Sequence, residues 1–123
     1  MNQDFTRELV GDILVEKINL DKATLNESVV FKERLLNDFD AGYKKIIVDL
    51  SKCSYIDSSI IGALVVLLKK LKPNDGKLKL VIPKRDSFQF LTSSGLDKMF
   101  DISSTLDDAI FSFSFRKLGE QKG

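Results

Sequence analysis

The residues with chemistry to offer gather in one stretch, SKCSYIDSSIIGALVVLLKKLK at positions 51–72. There Asp57, Ser58 and Ser59 stand directly before a strongly apolar run. Asp57 and Ser58 are both good helix N-cap residues, able to accept hydrogen bonds from the unpaired first amides of a helix. A serine at that place can also carry a phosphate, which adds about −1.5 to −2 charges near pH 7. The positive end of a helix tolerates such a charge. A partner protein docked over the adjoining apolar surface would have to desolvate it. Capping and switching are both open readings of these residues. Ser58, Ser59 and Cys53 are the candidate nucleophiles, and no base stands beside them in the sequence.

The rest of the composition narrows the chemistry further. The chain of 123 residues has no histidine and one cysteine, Cys53. The usual transition-metal ligand sets and the Ser–His–Asp and Cys–His triads are therefore excluded. No Gly-rich phosphate loop is present. A lone cysteine cannot form an intramolecular disulfide and suits a reducing cytoplasm. Nineteen basic residues balance 18 acidic ones, a poor footprint for nucleic acid. IIGALVVLL is too short for a bilayer, which needs about 20 apolar residues, and the N-terminus lacks the layout of a signal peptide. The expectation is a cytoplasmic protein without direct membrane insertion.

The elements that must position Asp57–Ser59 follow from periodicity. DILVEKINL alternates Ile13 and Val15 against Leu14, Glu16 and Ile18, which predicts a strand. VVFKERLLNDFDAG predicts an amphipathic helix ending near Gly42, with Val29, Val30, Glu33, Leu36 and Phe39 set against Phe31, Arg34 and Leu35. KKIIVDL reads as a central strand buried on both faces. A helix is predicted over 58–72, stopped by Pro73, Asn74 and Gly76. KLKLVIP is a further strand. RDSFQFLTSSGLDKMF predicts a short helix capped at Gly95, FDI a last short strand, and STLDDAIFSFSFRKL a helix with Ser104 or Thr105 as N-cap. Strands alternating with helices give an α/β fold with a mixed sheet of four to five strands and about four helices.

Winding residues 58–72 at 3.6 per turn places Ile60, Ile61, Leu64, Leu67, Leu68 and Leu71 toward the sheet. The other side carries Ser58, Ser59, Gly62, Val66, Lys69 and Lys70, with Ala63 and Val65 at its margins. Gly62 inside the helix costs about 0.8–1 kcal/mol relative to alanine. Either a neighbouring segment of the same chain or a partner protein would explain that cost by approaching the backbone closely.

KKIIVDLSKCSYIDSSIIGALVVLLKKLK resembles the central motif of STAS domains, particularly bacterial anti-sigma-factor antagonists. Their pattern is an apolar strand ending in Asp-Leu, a short loop, and Asp-Ser-Ser/Thr-Gly-Leu-Gly opening a helix. Asp49, Leu50, Asp57, Ser58, Ser59, Ile61 and Gly62 match that frame, while Ile60 stands where the family has a glycine. GDILVEKINLD resembles the strand leading to Gly-Glu-Leu-Asp, with Asp21 matching the final acid. FLTSSGLDKMFDISSTLDDAI resembles the family's short helix, Ser/Thr-Gly-Leu, short strand and last helix. The likeness implies a single STAS domain over 1–123, its core about 5–112 and its tail about 117–123 loose.

The resemblance implies a protein-binding switch in transcription regulation and the stress response, with no catalysis and no cofactor of its own, in agreement with the missing histidine and phosphate loop. An anti-sigma-factor antagonist sequesters an anti-sigma factor that commonly has serine kinase activity. Phosphorylation of the serine after the motif aspartate, Ser58 here with Ser59 as the alternative, inactivates it, and a metal-dependent serine phosphatase reverses this. Partner-binding residues implied by the motif and the wheel are Asp21, Asp57, Ser59, Ile60, Ile61, Gly62 and Val66. The alternative, motivated by Ile60, is an unphosphorylated STAS interaction module of a lipid-transport ATPase complex or signalling scaffold.

Overall fold

Apolar runs bounded by turn residues set the sheet. The computed structural model describes residues 4–82, 93 and 95–113. Its main sheet is built from β1 (Phe5–Val10), β2 (Ile13–Ile18), β4 (Lys45–Asp49), β6 (Lys77–Val81) and β7 (Asp101–Ser103), in the order β1-β2-β4-β6-β7. Only β1 runs antiparallel, as the hairpin partner of β2; the other pairings are parallel. The KIIVD strand lies at the centre with Ile46, Ile47 and Val48 buried, as the two-sided apolar run predicts. A separate two-stranded parallel piece joins β3 (Lys22–Ala23) to β5 (Tyr55–Ile56).

Two helices, α1 (Leu25–Asp40) and α2 (Ser58–Leu71), pack on one face of the sheet. Leu14, Ile18, Ile46, Val48, Leu78 and Leu80 meet Phe31, Leu35 and the α2 stripe there in one core. All six residues of that stripe, Ile60, Ile61, Leu64, Leu67, Leu68 and Leu71, are buried. Each such side chain contributes about 1.5–3 kcal/mol relative to exposure. Past α2 the chain makes a 3-10 turn, Lys72–Asn74, and Asp75 turns left-handed at φ 59°. Gly76 follows where a β-carbon would come within 2.6 Å of the Leu71 side chain, so glycine is required by packing.

The opposite face carries a smaller core. Ile13, Val15, Ile47 and Val81 are covered by Ala109 and Phe113 of α3, helical over residues 106–113. Thr105 is the cap, its Oγ1 accepting the Asp108 amide at 3.0 Å, which decides between the two predicted caps. Buried Lys79 extends the same face, with Nζ 3.3 Å from Asp101 and 4.8 Å from the Phe113 ring centroid.

Several expectations are corrected. The edge strand β1 was not predicted, nor were β3 and β5. α1 begins at Leu25 rather than near Val29, after Thr24, whose amide donates to Glu27 Oε1 at 2.8 Å. Its buried face is Ser28, Phe31, Leu35 and Asp38, while Val29 and Val30 are exposed. Gly95 does take the left-handed conformation expected of it, at φ 81°, and α1 ends near Gly42 as expected, with Gly42 left-handed at φ 98°. Most of the helix predicted before Gly95 and the C-terminal tail lie outside the described residues.

Candidate functional site

The corner holding Ser58 is built by short pairings at one end of the sheet. Asp21, just past β2, accepts the Ser54 and Tyr55 amides on its backbone carbonyl at 2.7 and 3.3 Å. β3 and β5 then pair, Ile56 sinks into the core, and the Asp57 amide donates to Ala23 O at 3.3 Å. The chain therefore enters α2 from an extended residue, Asp57, at φ −106° and ψ −178°.

Asp57 caps two helices at once. Its Oδ1 accepts the Ser59 amide at 3.1 Å, the Ile60 amide at 3.4 Å and the Ser59 hydroxyl. Its Oδ2 accepts the Leu25 amide, the first of α1, at 3.0 Å. The Ser59 hydroxyl bond, joined by the Ile60, Leu25 and Ser59 amides, outweighs a little desolvation and holds the Asp57 carboxyl below the ordinary carboxylate value. Loss of an N-cap costs about 0.5–2 kcal/mol. Because two helices share this one, Asp57→Ala is expected to cost about 2 kcal/mol in urea denaturation. Asp57→Asn should recover only part of it, since its single amide oxygen can accept at one helix start and not both.

The three polar residues thus differ sharply in what they can do. Ser59 has its hydroxyl committed to Asp57. Ser58 is exposed, and its hydroxyl makes no hydrogen bond among the described residues. Along the outer side of α2, Gly62 is exposed and Val65 and Val66 are half-buried. A β-carbon on Gly62 would meet nothing within 4 Å among the described residues. Close packing among the described residues therefore does not account for this glycine.

Ile60 and Ile61 are corrections, since both were expected at the partner surface. They are 0% and 4% exposed, turned into the core by the same wheel that presents Ser58 and Gly62 outward. They shape the surface from beneath. Asp21 is exposed, and its backbone bonds to Ser54 and Tyr55 tie it to the Ser58 corner.

Sequence reasoning missed three apolar residues beside this corner. Leu25, Val29 and Tyr55 are 67%, 63% and 48% exposed. Leu25 follows directly on the Asp57 bond, Val29 stands one turn further along α1, and Tyr55 lies two residues before Asp57. The signal was present in Thr24-x-x-Glu27, which starts α1 early enough to put Leu25 and Val29 outside the Phe31–Leu35 stripe. Cys53 is buried, and burial with the nearby Asp49 and Asp21 charges pushes its thiol up to about 12. It stays neutral and packs as a small apolar side chain. Among the described residues no group of three His, Cys, Asp or Glu is placed to hold a metal, and no helix is long and apolar enough to cross a membrane.

The STAS domain family model matches residues 19–109. This chain belongs to the STAS family. A Thermotoga maritima protein named as a candidate anti-sigma factor antagonist is 30% identical to this STAS domain over 110 residues, covering 86% of this chain and 94% of its own. A crystal structure of an antagonist candidate from Thermotoga maritima superposes with a TM-score of 0.78 at 26% identity, over 89% of this chain and 94% of that one. The Bacillus cell-fate determinant SpoIIAA, solved in its phosphorylated form, shares the fold with a TM-score of 0.68 at 20% identity, over 89% and 98% of the two chains. The STAS fold expected from the motif is the fold found.

Proposed function

We propose that this STAS domain is an anti-sigma-factor antagonist, a binding protein switched by phosphorylation at Ser58. The observation that carries the reading is the uncommitted, exposed Ser58 hydroxyl at the first turn of α2, beside a Ser59 hydroxyl already bound to Asp57. An incoming kinase meets one free acceptor there. The Ser59 and Ile60 amides that would otherwise receive a phosphate are already held by Asp57. A phosphate on Ser58 therefore stays toward solvent, beside the Asp57 carboxylate, and leaves the fold in place.

Docking is assigned to the outer side of α2 with its flanks, namely Asp21, Gly62, Val66, Leu25 and Val29. The partner is an anti-sigma factor that carries the serine kinase, and a metal-dependent phosphatase restores the hydroxyl. Relatives named as antagonists and the existence of a phosphorylated form of SpoIIAA support this assignment. The runner-up, an unphosphorylated module of a lipid-transport complex or signalling scaffold, drew its motive from Ile60. That side chain is absorbed by the core, so the departure leaves the surface around Ser58 unaltered.

The test is capture of the partner by the unmodified chain and by its Ser58→Ala variant. Both are expected to retain an anti-sigma factor, and only the unmodified chain is expected to accept phosphate from it. Recovery of transporter subunits instead would sink the reading. Gly62 supplies a separate check. Gly62→Ala should stabilise the domain by about 0.8–1 kcal/mol, because the helix gains propensity and the new methyl meets nothing among the described residues. The same methyl stands in the path of a partner and is expected to weaken docking. Equal docking with higher stability would remove Gly62 from the interface.

A further inference from the structure

Away from Ser58, four charged side chains meet between the N-terminal hairpin and α1. Glu16 of β2 and Asp38 of α1 are 1% and 3% exposed. Arg7 of the edge strand β1 reaches both, with Nε and Nη2 each 3.0 Å from Glu16 Oε2 and Nη2 2.9 Å from Asp38 Oδ1. Arg34, one turn before Asp38, closes Glu16 Oε1 from the other side through Nε at 3.0 Å and Nη2 at 2.9 Å. Both Glu16 oxygens are thus paired with guanidinium groups. Asp38 Oδ2 is buried and meets no donor.

A buried, ionised oxygen without a donor carries the full desolvation penalty of its charge. A proton on Asp38 removes that charge and lets its carboxyl donate a hydrogen bond where the ionised form can only accept. We propose that Asp38 stays protonated beside Glu16, so that the four residues form a proton-dependent clasp fastening β1 to α1. The groups facing Asp38 among the described residues are Glu16 from β2, Arg7 from β1 and Arg34 from α1. Burial is the largest influence, followed by the Glu16 hydrogen bond and charge. Together they overcome the two arginines and push the Asp38 carboxyl up to about 8.

The sign follows from linkage. Between the ordinary value of 3.8 and about 8, the folded chain keeps a proton that the unfolded chain has lost. Stability from this group is full below 3.8, falls as pH rises through that window, and is gone above about 8. Once ionised, Asp38 sets a second buried negative charge against Glu16. β1 then depends on its ladder with β2, the Phe5–Phe31 stack at 5.9 Å and Arg34 over the Phe5 ring at 5.6 Å. The edge of the sheet is the part that loosens.

Carboxyl-carbon NMR of the full chain, with amide exchange read along β1, tests this. The Asp38 carbon is expected to titrate well above 3.8. Between pH 6 and pH 9, exchange of β1 amides should rise at least about tenfold in the parent relative to Asp38→Asn, which mimics the protonated acid. A midpoint near 3.8, or an exchange ratio that stays flat, would overturn the clasp. If the variant fails to fold, the carbon titration of the parent decides alone.

Discussion

Ser58→Asp is expected to weaken binding to the anti-sigma factor at least tenfold while leaving the melting temperature within a degree or two of the parent. Tenfold corresponds to about 1.4 kcal/mol. That is a modest demand on a charge that a partner must desolvate at the edge of an apolar face. The carboxylate would stand next to Asp57, which is already ionised and held below the ordinary value. A partner surface would then meet two negative charges where the unmodified chain has one and a neutral hydroxyl. Stability should barely move, because Ser58 is exposed, its hydroxyl holds nothing among the described residues, and an acid at a helix start is favourable. Ser59→Asp is the control with the opposite profile. It breaks the hydroxyl bond to Asp57 and should cost stability. Titration calorimetry beside thermal melts separates the two. Equal binding by Ser58→Asp and the parent would sink the switch.

Phe31→Ala should produce the largest loss of stability, about 3–5 kcal/mol. Phe31 is fully buried where α1 crosses the sheet, and its ring stacks on Phe5 of the edge strand. Truncation leaves a cavity and removes the packing that ties the hairpin to the helix. A domain of this size is commonly stable by about 5–15 kcal/mol, so the variant sits near the edge of folding. Denaturant titration of the purified variant gives the cost directly. Phe31→Leu should recover part of it, since leucine refills much of the cavity but loses the stack on Phe5. A loss below about 1 kcal/mol for the alanine variant would mean that the α1–hairpin contact is not the core described here.

Which parts were legible in the sequence follows from how each residue's neighbours are supplied. KIIVD and the α2 stripe declare themselves, because long apolar runs at a clear period have one place to go. The same wheel placed Ser58 and Gly62 outward. It also put Ile60 and Ile61 inward, and their assignment to the partner surface came from the motif and failed for that reason. β1 was illegible because Arg7, a residue that reads as solvent-facing, points into a pair of buried carboxyls. Glu16 and Asp38 read as surface for the same reason. Their burial depends on partners 9 to 31 positions away that only the folded chain brings together. The start of α1 was hidden by Val29 and Val30, apolar residues left exposed. The double role of Asp57 needed two helices to begin at one point, and no local pattern announces that.

The central claim is that Ser58 is the switch. Phosphopeptide mass spectrometry on the protein from its native cells, grown with and without stress, tests it most directly. A phosphate localised to Ser58 whose occupancy changes with stress is the predicted result. A phosphate on Ser59 instead, or none on Ser58 under any growth condition, would contradict the account and leave Asp57–Ser59 as a helix cap in an unswitched STAS module.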